Sequence, residues 1–144
     1  MITATLDTNV LASGIVTYGK STSPAQILRA WKSGEFQLVT SEHILEELKH
    51  TLETPYFKRY ISSQQVAGTI NLFQEEAIVI PIIQNVRGIA THLEDDLIIA
   101  TALSAKSDYL VTGDKPFLTR VGPTYQGMKI INPNDFIKKL HVSK

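Results

Sequence analysis

The sequence predicts an α/β domain whose mostly parallel sheet is covered by helices on both faces, a three-layer α/β/α sandwich. Two patterns predict it. Short β-branched or apolar runs alternate with segments of helical period, and residues 97–105 are apolar nearly all round, as a helix caught between a sheet and a neighbour is. Strands that alternate with helices pair in parallel and are buried on both faces.

The elements follow in order. A first strand is expected over Thr3–Leu6, stopping at Asp7. Ile27, Leu28, Ala30 and Trp31 form one helical face that ends before Gly34, and residues 36–39 make the next strand. Ile44, Leu45, Leu48 and Leu52 mark a second helix closed by Pro55; Val66, Ile70 and Phe73 mark a third. A strand at 77–82, the apolar helix at 97–105, and strands at Tyr109–Val111 and 129–131 come next. A short helix after Pro133 would carry Phe136, Ile137 and Leu140. No repeat, low-complexity run or long linker interrupts this order, so residues 1–144 read as one domain.

Composition narrows the function. The chain has 144 residues, 14 Lys+Arg against 14 Asp+Glu, and no cysteine, which excludes disulfide scaffolds and zinc–cysteine sites. Zero net charge excludes a globally basic nucleic-acid binder, though not a local basic rim. No apolar run reaches the ~20 residues that span a bilayer, and the first residues lack the basic flank and apolar stretch of a signal peptide. The cytoplasm is the expected compartment, with no membrane partner.

Ligands of parallel sheets gather at the carboxyl ends of the strands. Asp7 follows the first strand and Asp114 follows Tyr109–Val111, accompanied by Asn9 and Thr112. Glu46 and Glu47 fall in the first turns of a helix that Ser41 can cap; Glu94, Asp95 and Asp96 open the apolar helix. Singly, each acid has a structural role open to it, as an Asx turn or a complement to a helix dipole. Together they would repel one another unless a cation sat between them, and no Lys/Arg cluster is adjacent in sequence. Hard oxygen donors favour Mg²⁺ or Mn²⁺, and such a site supports phosphodiester hydrolysis.

These residues resemble a known family. Leu6-Asp7-Thr8-Asn9-Val10-Leu11, Ser41 with Glu47-Leu48, Asp96-Leu97-Ile98-Ile99-Ala100-Thr101-Ala102 and Leu110-Val111-Thr112-Gly113-Asp114 are similar to the ordered acidic motifs of PIN-domain nucleases, in particular the toxin components of prokaryotic toxin–antitoxin pairs. The resemblance implies a sheet of about five parallel strands and a Mg²⁺- or Mn²⁺-dependent endoribonuclease acting on single-stranded RNA. It implies that Asp7, Asp96 and Asp114 hold the metal, with Glu47 as a further ligand or as the residue that orients the attacking water. Asn9 and Thr112 match the supporting polar positions, and Asp95 is a supporting carboxylate. Cleavage would leave a 5′-phosphate and a 3′-hydroxyl. A cognate antitoxin and a homodimer are the implied partners. Substrate grip would fall to Lys49, Lys58, Arg59, Arg87, Lys115 and Arg120, with Tyr18 or Tyr56 available for stacking.

Rival readings exist. Gly14, Gly19, Lys20 and Ser21 satisfy the Gly-x-x-x-x-Gly-Lys-Ser pattern of a P-loop NTPase, which requires a strand directly before it and a helix starting at the lysine. Seven residues separate the first strand from Gly14, so a flexible loop at the mouth of the acidic site, with Lys20 within reach of substrate, is the expectation. An aspartyl phosphatase would want Asp where Asn9 stands, and a receiver domain would want its acidic pair after the first strand. A catalytically silent RNA- or protein-binding module of the same fold is the remaining alternative. His43, His50, His92 and His141 share no metal-ligand spacing, and Trp31 reads as core or dimer contact.

Overall fold

The computed structural model describes residues 1–84, 86–90 and 93–142. In chain order these form β1 (Thr3–Leu6), α1 (Thr8–Val16), α2 (Ser23–Lys32), β2 (Gln37–Thr40), α3 (Glu42–Leu52), α4 (Pro55–Lys58) and α5 (Ser63–Glu76). Then come β3 (Ile78–Val79), α6 (Leu93–Ser104), β4 (Tyr109–Val111), α7 (Lys115–Val121), β5 (Thr124–Tyr125), β6 (Met128–Ile131) and α8 (Pro133–Val142). The sheet order is β3-β2-β1-β4-β6-β5, parallel except for the β5–β6 hairpin.

The α/β architecture is the expected one, with six strands where about five were expected. The sixth is β5, whose two residues pair antiparallel with β6 across a tight turn holding Gln126 and Gly127 at positive φ. Residues 77–82 yield only the two-residue β3, because pairing with β2 stops at Thr40↔Val79 and Pro81 has no N–H to offer a ladder. The chain leaves β1 toward β2 and β3 on one side and reaches β4 and β6 on the other, so the strand order reverses beside β1. Right-handed crossovers then place α1–α5 on one face and α6 and α7 on the opposite face.

The core forms where these layers meet. Phe136 of α8 is fully buried, edge-on to Phe36 at 5.2 Å and to Tyr109 of β4 at 5.5 Å. Trp31 stacks on Phe73 with ring centroids 5.2 Å apart, which makes it a core residue joining α2 to α5.

The P-loop reading is overturned. Gly14 and Val16 lie in the last turns of α1, and the next helix begins at Ser23, capped by the Thr22 side chain, rather than at Lys20. Gly14 is a packing glycine: a Cβ there would meet the Pro24 carbonyl oxygen at 2.7 Å and Leu28 Cδ1 at 2.8 Å, so its absence lets α1 approach α2.

Candidate active site

Asp7 ends β1 and Thr112-Gly113-Asp114 ends the neighbouring β4, with Leu6 and Val111 in register. The Asp7 N–H continues the ladder by donating to the Val111 carbonyl at 2.9 Å. The two acids therefore meet at the carboxyl edge of the sheet, where the strand order reverses.

Thr112 joins them. Its fully buried hydroxyl donates to Asp7 Oδ2 at 2.6 Å and accepts the Asp114 N–H at 3.2 Å. Asp7 Oδ1 accepts the Asn9 N–H at 3.2 Å, capping α1, and Asp114 Oδ1 accepts the Phe117 N–H at 3.4 Å, capping α7. Each acid thus starts the helix that follows its strand, and each keeps oxygen lone pairs for a further partner.

The electrostatics are unfavourable to Asp7 as an anion. Burial pushes its carboxyl above the ordinary aspartate value; the Thr112 and Asn9 hydrogen bonds oppose that, and the nearby Asp114 charge adds to it. Replacing Thr112 with Val removes the hydroxyl that stabilises the carboxylate, so the Asp7 pKa rises further. The acidic limb of the activity–pH profile is expected to move to higher pH, and an unmoved limb would show that Thr112 does not govern Asp7.

The remaining predicted residues divide. Glu47 on α3 is half-buried and lies 3.7 Å from His43 one turn earlier, whereas Glu46 is exposed. Ser41 caps α3 and sits 2.9 Å from Thr101 of α6. The Thr101 hydroxyl already donates to the Leu97 carbonyl, so Ser41 is the donor between the two. Asn9 contributes its backbone N–H, and its residue is exposed. Asp95 is half-buried on α6. Asp96 is 4% exposed, and both of its oxygens are taken by the backbone N–H groups of Gly88, Ile89 and Ala90. His92 lies outside the described residues. The bridging role of Thr112 exceeds the support expected of it; its position two residues before Asp114 was the available signal.

Among the described residues, no group of three or more His, Asp or Glu side chains is placed to hold a metal ion. Mg²⁺ needs fewer, because it retains waters and binds through one or two carboxylates plus substrate phosphate. Asp7 and Asp114, mutually repelling hard-oxygen donors, fit that requirement. A cavity of about 1000 Å³ lies elsewhere, near the amino ends of β1, β4 and β6; two carboxylates line it, Glu35 and Asp108, and Asp108 is engaged with the Thr3 N–H and hydroxyl.

Among the described residues no helix is long and apolar enough to cross a membrane. Comparison by sequence with curated proteins gives no match. By structure, the chain is similar to VapBC2 from Rickettsia felis bound to a DNA fragment from their promoter, with TM-score 0.61 and 16% identity over 91% of this chain and 98% of that one. It is also similar to FitAB bound to the IR36 DNA fragment, with TM-score 0.54 and 17% identity over 90% of this chain and 94% of that one. The profile of the PIN domain matches residues 3–116, which include Asp7, Glu47, Asp96 and Asp114. With that profile spanning most of the chain, and with Asp7 and Asp114 meeting at the ends of adjacent strands, the chain belongs to the PIN-domain family of nucleases.

Proposed function

We propose that the chain is a divalent-metal-dependent endoribonuclease acting on single-stranded RNA, the toxin component of a cytoplasmic toxin–antitoxin pair. The observation that carries the reading is the Asp7–Thr112–Asp114 bridge at the reversal of strand order. Asp7 and Asp114 are the residues that would hold Mg²⁺ or Mn²⁺. A divalent ion there supplies Lewis-acid activation of the phosphodiester and of water. Thr112 holds the Asp7 carboxylate in one orientation, and the caps to Asn9 and Phe117 fix both acids to helix starts. Glu47, Asp95 and Asp96 are the further candidate acids of the site, with Glu47 as the candidate for orienting water. The chain acts as one domain. VapBC2 and FitAB, both solved on DNA as toxin–antitoxin complexes, support an antitoxin partner, and a homodimer is included in the reading.

One observation favours a second reading, a silent RNA- or protein-binding module: the Asp96 carboxylate is committed to backbone amides. Cleavage of a 5′-labelled single-stranded RNA with Mn²⁺, Mg²⁺ or EDTA decides between them. The nuclease reading expects cleavage only with metal, and at least ~100-fold less in Asp114→Asn, a loss of about 3 kcal/mol in transition-state stabilisation. A folded protein that binds RNA but never cuts it establishes the silent module.

A further inference from the structure

Asp96 and Arg120 grip one turn of chain from opposite sides. Asp96 Oδ2 accepts the Gly88 N–H at 2.9 Å, and Oδ1 accepts those of Ile89 at 3.2 Å and Ala90 at 2.8 Å. The Arg120 guanidinium donates to the carbonyls of the same turn, Nε to Ile89 at 3.0 Å and Nη2 to Gly88 at 3.3 Å. Val86 and Ala90 anchor residues 86–90 in the core, while Arg87 and Gly88 are exposed. Gly88 has φ +70°, a conformation that strains any residue with a Cβ.

The position of this turn gives the grip its consequence. Asp96 lies near the start of α6, and α7, which carries Arg120, is capped by the site residue Asp114. The turn is therefore tied to the start of α6 through Asp96 and to the last turn of α7, the helix that Asp114 caps, through Arg120. The Asp96 carboxylate accepts three N–H bonds, two on Oδ1 and one on Oδ2, which leaves it fewer oxygen lone pairs for a metal than Asp7 or Asp114 keeps.

We propose that Asp96 and Arg120 clamp residues 86–90 as a wall of the RNA-binding crevice, presenting Arg87 to the phosphate backbone, so that Asp96 is a positioning residue and not a metal ligand. The inference rests on the nuclease reading above, whose site it refines. Its claims about metal and backbone can be tested without catalysis.

The test compares Asp96→Asn and Arg120→Ala with wild type and Asp7→Asn. Calorimetric titration with Mn²⁺ alone is expected to give affinities within about 3-fold of wild type for the first two variants, against a loss of ~10-fold or more for Asp7→Asn. Hydrogen exchange at Gly88, Ile89 and Ala90 is expected to accelerate about 10-fold or more in both clamp variants. On labelled RNA, Arg120→Ala is expected to raise KM ~5–10-fold with kcat nearly unchanged, a split that general destabilisation would not produce. Loss of Mn²⁺ binding in Asp96→Asn as deep as in Asp7→Asn would overturn the proposal, as would unchanged exchange at residues 88–90 or a fall in kcat alone. If Asp96→Asn does not fold, Arg120→Ala decides through the exchange and KM readouts. If wild type cuts no RNA, the nuclease reading fails by that result, while exchange still decides whether the clamp exists.

Discussion

Asp7→Asn is expected to reduce metal-dependent cleavage by about 1000-fold or more, roughly 4 kcal/mol of transition-state stabilisation, and at the same time to make the metal-free protein more stable. The two effects have one cause. Burial and the neighbouring Asp114 charge raise the Asp7 pKa above its unfolded value, so the stability linked to this group is present below the unfolded pKa and is lost as pH rises through the folded pKa. At neutral pH the ionised carboxylate therefore weighs against the metal-free fold. Asn removes the charge, remains a good helix cap and can still accept from the Asn9 N–H. A gain of about 1 kcal/mol, ~3 °C in melting temperature, is expected by calorimetry in EDTA at pH 7. The gap should close as pH falls through the folded pKa, since wild-type Asp7 is then neutral too. A variant that melts below wild type at pH 7 would mean that the hydrogen bonds to the carboxylate outweigh its burial and repulsion.

Phe136→Ala is expected to cost about 3–5 kcal/mol, the largest stability loss proposed for any single side chain of this protein. The ring is fully buried and contacts Phe36 and Tyr109, so its loss leaves a cavity between α8 and the sheet that rigid neighbours cannot fill. Phe136 lies beyond the residues matched by the family profile, 3–116. Urea unfolding should show the midpoint falling with an unchanged slope. A loss below about 1 kcal/mol would show that α8 is an appendage rather than part of the core.

The sequence was most legible where burial and pattern agree. β1 and β4 occur at the expected residues because each is a short apolar or β-branched run ended by a turn residue, and the helix at Ile44 to Leu52 follows its apolar spacing. α1 was not expected: Thr8, Asn9 and Gly14 are weak helix formers, and packing against α2 and α3 outweighs that local preference. α7 is too short at seven residues to show a period. The site was legible in part, because an acid at the end of each of two adjacent parallel strands is a topological statement that spacing can make. Which member of the Asp95–Asp96 pair faces the crevice is a matter of side-chain direction. Adjacent helical residues point about 100° apart, and only the amides of Gly88, Ile89 and Ala90 reveal where Asp96 turns.

The hydrogen bond from Thr112 to Asp7 joins residues 105 positions apart. Loop-closure entropy makes such a contact slow to form, because the ordering of the intervening chain precedes its reward. During synthesis the first carboxylate emerges early but stays without its partner until β4 has been made and has docked beside β1. A nascent chain of this protein consequently lacks the assembled Asp7–Thr112–Asp114 bridge until β4 has been made and has docked.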